Sequence, residues 1–472
     1  FIYTTYPMKT IKETSTLIKA GKLSPVEATR ELLGRIDIYD IELNSFVTVC
    51  GDYALERAAE CEKEIQSGNY IGPLHGIPIA VKDICETNGI RTSVGSKVLQ
   101  DWVPTRDAEI VKKLKQSGAI LLGKLNMTEF AMGRYHPDLP RPKNPWNKDV
   151  WVGASSSGSG VAVSAGLCMG AIGTDTGGSI RYPSATSSLV GIKPTYGLVS
   201  REGVFPLSQR LDHVGPICRS VDDAEIFLNS LIDADIPKVN TPLNNIRLGV
   251  DEKYIKNGVN PEVSDLVFQA INVFEELGAK LIEVKVPTLV GGDDTWVTVT
   301  LVDALKDHAE FFPRNRSLYG PFGDQLEGAA DVDPAVFEQC INYGNNFRQD
   351  FNKLLDDVDV IMCPTMVTIP PALTAITDNG NDDHKLRDPN GISDISDADW
   401  GEYSDRIGKF TAPFNFSGNP TISLPCGFSS SRLPVSLQII GKQFHESTII
   451  ALGKQYQSAT NWHTINPAGF GF

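Results

Sequence analysis

The chain has 472 residues, 41% of them hydrophobic and 21% charged, with a formal net charge of -15. That is enough apolar material for a large core, and the negative balance excludes a general binder of nucleic acid or anionic membrane, which needs clustered Lys and Arg. The eight cysteines are scattered without a CxxC pair, so no zinc or dithiol motif is present and free thiols in a reducing, cytoplasmic compartment are expected. No apolar run is long enough for a membrane-spanning helix, and no signal peptide is visible.

Ser24-Pro25-Val26-Glu27 combines an N-cap serine, proline at N1 and glutamate at N3, which predicts a helix with Ala28, Leu32 and Ile36 inward. Residues 77–84 read as a buried strand. Residues 108–117 read as a helix stopped by Gly118, with a strand over 119–122. The small residues from Gly158 to Gly166 suit a short helix. A second unit begins near Arg247: Asn260 and Pro261 open a helix striped by Val263, Leu266, Val267, Ala270, Ile271, Phe274 and Leu277. Gly278 ends it, and a strand follows over 281–286. Strands alternating with helices predict an α/β sheet covered on both faces. Residues 378–400 are acidic and rich in turn formers without calcium-loop spacing, so a surface loop is expected, with a lid as the alternative. Closely spaced Pro and Gly over 410–425 predict a segment folding back against the sheet.

The chemistry concentrates between residues 153 and 181, GASSSGSGVAVSAGLCMGAIGTDTGGSIR. Serine needs a base to become a nucleophile and donors aimed at the oxyanion that its attack creates. In Thr176-Gly177-Gly178-Ser179 the glycines let backbone amides converge without side-chain obstruction. GGS alone reads better as an ordinary turn with an incidental serine. Ser179 lies outside a GxSxG elbow, and no histidine lies in a recognisable triad motif. His213, His75 and His136 are read as structural or pocket-lining. Lys82 is the better base, because it sits among Ile77, Ile79, Ala80, Val81 and Ile84, and desolvation can lower a lysine pKa by about 3–5 units. From the strand alone, an edge lysine reaching water is the competing reading and the preferred one. Ser155, Ser156 and Ser157 could supply a hydroxyl between Lys82 and Ser179. Gly158-Ser159-Gly160 is only a fragment of a dinucleotide fingerprint, and no P-loop lysine follows.

These residues resemble the amidase signature family of serine hydrolases. The resemblance runs through GIPIAVKD, GKLNMTEFAMG, KNPWN, GTDTGGSIRYPSA, VGIKPTYGLVS and LDHVGP, and more weakly through PTISLPCGF and LPVSLQIIG. It implies one domain over 1–472: N-terminal helices (1–65), the signature core (66–225), and the rest of the sheet and pocket (226–472). The implied fold is a large mixed β-sheet covered by helices on both faces. By position, Lys82 becomes the base, Ser155 the relay after a cis peptide bond, and Ser179 the nucleophile. The amides of Thr176, Gly177, Gly178 and Ser179 become the oxyanion hole, supported by Asp175, Arg181 and Ser156. Met127, Thr128, Tyr135, His136 and Tyr182 are expected at the substrate, together with Trp296 and Phe311.

No cofactor or metal is implied. The expected partner is a small amide or carbamate such as urethane, with anilides or esters as further substrates, and a homodimer is compatible with the resemblance. The alternatives are the glutaminase component of a tRNA-dependent amidotransferase and a non-catalytic scaffold. Three positions depart from the family pattern: Ala154 and Ser157 stand where glycines are common, and so does Arg432.

Overall fold

The computed structural model describes residues 9–237, 242–373, 386–387 and 407–471. Eleven strands form one sheet: β1 (Phe46–Val49), β2 (Pro78–Lys82), β3 (Ile120–Leu125), β4 (Gly170–Asp175), β5 (Val190–Lys193), β6 (His213–Cys218), β7 (Arg247–Val250), β8 (Lys280–Glu283), β9 (Val360–Pro364), β10 (Thr421–Phe428) and β11 (Pro434–Gly441). Their order is β1-β3-β2-β4-β6-β5-β10-β11-β9-β7-β8. β2 is parallel to β3 and β4, and β7 is parallel to β8 and β9. The other neighbours are antiparallel, so the sheet is mixed. Helices cover both faces, and β2, β3, β4, β6, β9 and β11 are buried at every position, as strands covered on both sides must be. One apolar cluster runs from Ile11 to Phe470. Among the described residues no helix is long and apolar enough to cross a membrane.

Local signals act at their own positions. Ser24 Oγ accepts from the Val26 and Glu27 amides, the Glu27 carboxylate accepts from the Ser24 amide, and the helix runs Pro25–Leu43. Glu109–Gln116 is helical and Gly118 follows at φ 77°, where only glycine is unstrained. The Asn260 side chain caps the helix Pro261–Glu276. A short helix over Ser157–Ser164 replaces the one expected from Gly158.

The segment 410–425 departs from expectation. A short helix, Ala412–Ser417, leads through Gly418 at φ 72° into β10, which lies inside the sheet rather than against it. Pro425 is tolerated there because β10 pairs with β5 only over Thr421–Ser423, and a register shift follows between Pro425 and Gly427. Arg432 adopts φ 61° between β10 and β11, a conformation that suits the glycine common at that position in the family it resembles. The loop expected over 378–400 lies outside the described residues, apart from 386–387, which pair with Ala372–Leu373.

Candidate active site

β2 ends at Lys82 beside β4, and the parallel register Val81 to Ile172 brings the amine to Thr174. Lys82 is fully buried, and its Nζ donates to Ser155 Oγ and Thr174 Oγ1, each at 2.7 Å. Burial pushes its pKa down to about 7, against the opposing pull of Cys85, Asp175 and Asp212. The competing edge-strand reading therefore fails, because β2 has neighbours on both sides.

Ser155 follows a cis peptide bond from Ala154 and is 1% exposed. Its carbonyl accepts from the Thr128 amide at 3.3 Å. Ser156 fastens this segment to β4: its Oγ bonds both the amide and the carbonyl of Thr174, each at 3.2 Å. The Ser156 amide donates to the Ser179 carbonyl at 3.4 Å, which sets the two serine segments side by side. Ser179 itself is partly exposed, and among the described residues no hydrogen bond joins its hydroxyl to that of Ser155.

Past β4 the chain turns around the buried Asp175 carboxylate. Its two oxygens accept from the Gly178 amide (2.8 Å) and the Ile180 amide (3.1 Å), and Arg181 grips both, at 2.8 and 3.0 Å. Burial pushes this carboxyl up, but Arg181 outweighs it and holds the group well below the usual carboxylate range. Arg181 also donates to Asn415 Oδ1 (2.6 Å) and Gln438 Oε1 (3.0 Å), while the Asn415 side-chain amide donates to Asp175.

This network corrects the expected oxyanion hole. The Gly178 amide is taken by Asp175, so it is not free to face a substrate oxygen. Gly178 serves the backbone instead: its φ is 139°, and a Cβ there would lie 2.4 Å from the Tyr182 ring. The Thr176, Gly177 and Ser179 amides have no protein acceptor among the described residues.

A model of the amidase family matches residues 27–450. The chain is 34% identical over 471 residues to "Putative amidase AmiD" of Mycobacterium tuberculosis, covering 97% of this chain and 95% of that protein. The chain belongs to the amidase signature family. It is also 33% identical over 498 residues to the A subunit of the glutamyl-tRNA(Gln) amidotransferase of Geobacter metallireducens, covering 96% of this chain and 98% of that one. The solved peptide amidase of Stenotrophomonas maltophilia superposes with a TM-score of 0.79 at 27% identity, covering 98% and 99% of the two chains. Family membership makes this an amidohydrolase.

Within the family fold, a cavity of about 350 Å³ opens beside Thr174, with Thr176, Asp212 and His213 on its polar side and Ala131 and Phe205 on its apolar side. Asp212 accepts from Thr176 Oγ1 (2.6 Å) and from the Leu207 and Ser208 amides; burial pushes its carboxyl up to about 6. His213 is held neutral by burial, with Nδ1–H donated to the Leu211 carbonyl at 2.7 Å.

Of the expected substrate residues, Thr128 touches Ser155 and Tyr182 packs over Gly178. None of Met127, Thr128, Tyr135, His136 and Tyr182 lines this cavity, and neither do Lys82, Ser155 and Ser179. Met127 is 1% exposed in the core, the Arg141 guanidinium sits 5.8 Å from the Tyr135 ring centroid, and His136 Nδ1 accepts from the Asp138 amide. Ala131, from the same stretch, does line the cavity; there Phe130 and Ala131 take φ 47° and 62°. Phe311 joins an aromatic group with Phe205 and His308, and Trp296 Nε1 donates to the Thr176 carbonyl at 2.8 Å.

Sequence reasoning missed Asp212, Asn415 and Gln438. Asp212 lies within LDHVGP, where the histidine is the more conspicuous chemical group. Asn415 has a signal of its own, a polar residue between two phenylalanines.

Proposed function

We propose that the chain hydrolyses small carboxylic amides, with carbamates as a related class, through an acyl-enzyme on Ser179. One observation carries the reading: a fully buried lysine amine lies 2.7 Å from the Ser155 hydroxyl, next to a turn whose Ser179 is partly exposed. With a pKa near 7 the amine is substantially neutral at physiological pH, and its lone pair can take the Ser155 proton. Ser155 in turn takes the proton of Ser179 as that oxygen attacks the substrate carbonyl carbon. Negative charge then gathers on the carbonyl oxygen, for which the Thr176, Gly177 and Ser179 amides are the available donors. Ser155 returns a proton to the departing amine, the C–N bond breaks, and the acyl group stays on Ser179 Oγ. Water repeats the sequence in the second half and releases the carboxylic acid. Asp175 and Arg181 hold the turn, and Ser156 holds the relay segment against β4.

The test is a screen of short amides, anilides, esters, ethyl carbamate and glutamine, with a fluorophosphonate probe for the nucleophile. Wild type should label on Ser179, and Ser179→Ala should lose both labelling and turnover. Wild-type turnover by Ser179→Ala would refute the assignment. Turnover of glutamine alone, with a copurifying second protein, would instead favour the role named for the amidotransferase relative.

A further inference from the structure

We propose that Trp296 is a positioning residue that aims the Gly177 amide at the developing oxyanion; this inference rests on the acyl-enzyme reading above. Trp296 lies in the first turns of the helix Gly292–Asp307, 120 residues beyond the turn it touches. The start of that helix is itself tied down, because Asp293 Oδ2 accepts from the Gly408 amide at 3.1 Å. From there the indole Nε1–H donates to the Thr176 carbonyl at 2.8 Å. In a trans peptide the carbonyl of one residue and the N–H of the next point in opposite directions within a single plane. Fixing the Thr176 carbonyl therefore fixes the direction of the Gly177 N–H, which is one of three amides of the turn, with those of Thr176 and Ser179, left without a protein acceptor among the described residues.

Two further contacts make the orientation rigid. Thr176 Oγ1 donates to Asp212 at 2.6 Å, so the same residue is held by its side chain as well as its carbonyl. The indole also fills the space where a Gly177 Cβ would stand: that atom would lie 2.4 Å from the ring. Glycine at 177 thus follows from the tryptophan as much as from the oxyanion. A wall residue packed on substrate would need neither a hydrogen bond to the turn nor the absent Cβ.

The experiment uses benzamide as substrate, phenylboronic acid as a mimic of the tetrahedral state, and benzoate as product. Trp296→Phe keeps an aromatic ring but removes the N–H. Removing an oxyanion donor outright costs about 10²–10³ in kcat, so a misaimed one should lower kcat about tenfold or more. KM should stay within about twofold, phenylboronic acid should weaken in step with kcat, and benzoate binding should not change. Incorporating the isosteric benzothienylalanine at 296, which has the full bicycle but no N–H, should give the same loss and covers the case in which the phenylalanine variant does not fold. An unchanged kcat in the isostere, or equal weakening of phenylboronic acid and benzoate, overturns the proposal. Failure of this inference is separable from failure of the proposed function: the former leaves Ser179→Ala inactive, whereas the latter leaves it active.

Discussion

Replacing Lys82 by methionine should abolish turnover and also change how stability depends on pH. The amine is fully buried, and burial lowers its pKa from 10.5 to about 7. Above pH 10.5 both folded and unfolded chains hold it neutral, and it contributes no pH dependence. Between 7 and 10.5 the unfolded chain binds a proton that the folded chain does not, so stability rises with pH across this window. Below 7 the folded chain must carry the charge, and the whole penalty is present. At about 1.36 kcal/mol per unit, the full shift corresponds to about 5 kcal/mol, of which about 3 kcal/mol falls between about pH 7 and 9.5. A methionine in its place has no proton to lose. Loss of the bonds to Ser155 and Thr174 adds a cost that does not vary with pH, so the comparison across pH isolates the amine. Urea unfolding of both proteins at about pH 7 and 9.5 measures it: the stability of the variant relative to wild type should be about 3 kcal/mol more favourable at the lower pH. A difference that is the same at both pH values would refute a buried, depressed lysine and with it the base.

Wild-type kcat/KM should rise with pH through a single ionisation near 7, where the Lys82 amine becomes neutral; a flat profile from about pH 5.5 to 8.5 would exclude that group as the base. Asp212→Asn should move this rise to lower pH, since the Asp212 charge helps Lys82 keep its proton, and a pH–rate profile reads the direction. Arg181→Met should destabilise the fold by about 3–5 kcal/mol, because it leaves the buried Asp175 carboxylate without its counter-charge; urea unfolding measures the loss, and a loss below about 1 kcal/mol would contradict the network.

The parts legible in the sequence are those governed by neighbours in the chain. The Ser24 capping box, the glycine stops at 118 and 278 and the stripe of the helix Pro261–Glu276 depend on residues within a few positions of one another. Lys82, Ser155 and Ser179 could be named because the motifs that carry them are short and dense in chemistry. That density did not show which amides of the turn are free. Gly178 donates to Asp175, three residues before it, and Arg181, bonded in turn to Asn415 and Gln438, holds the same carboxylate. The Met127–His136 stretch likewise promised a pocket, and it places Ala131, rather than the residues named from it, on the cavity wall.

Sequence by itself therefore determined the helices and strands bounded by local caps and stops, and which residue types could perform the chemistry, since both depend on local spacing and side-chain identity. Tertiary structure alone decided that the lysine is sealed from water and that a tryptophan 120 residues away holds the turn. Desolvation and hydrogen-bond competition depend on what surrounds a group in space, and those surroundings come from every part of the chain.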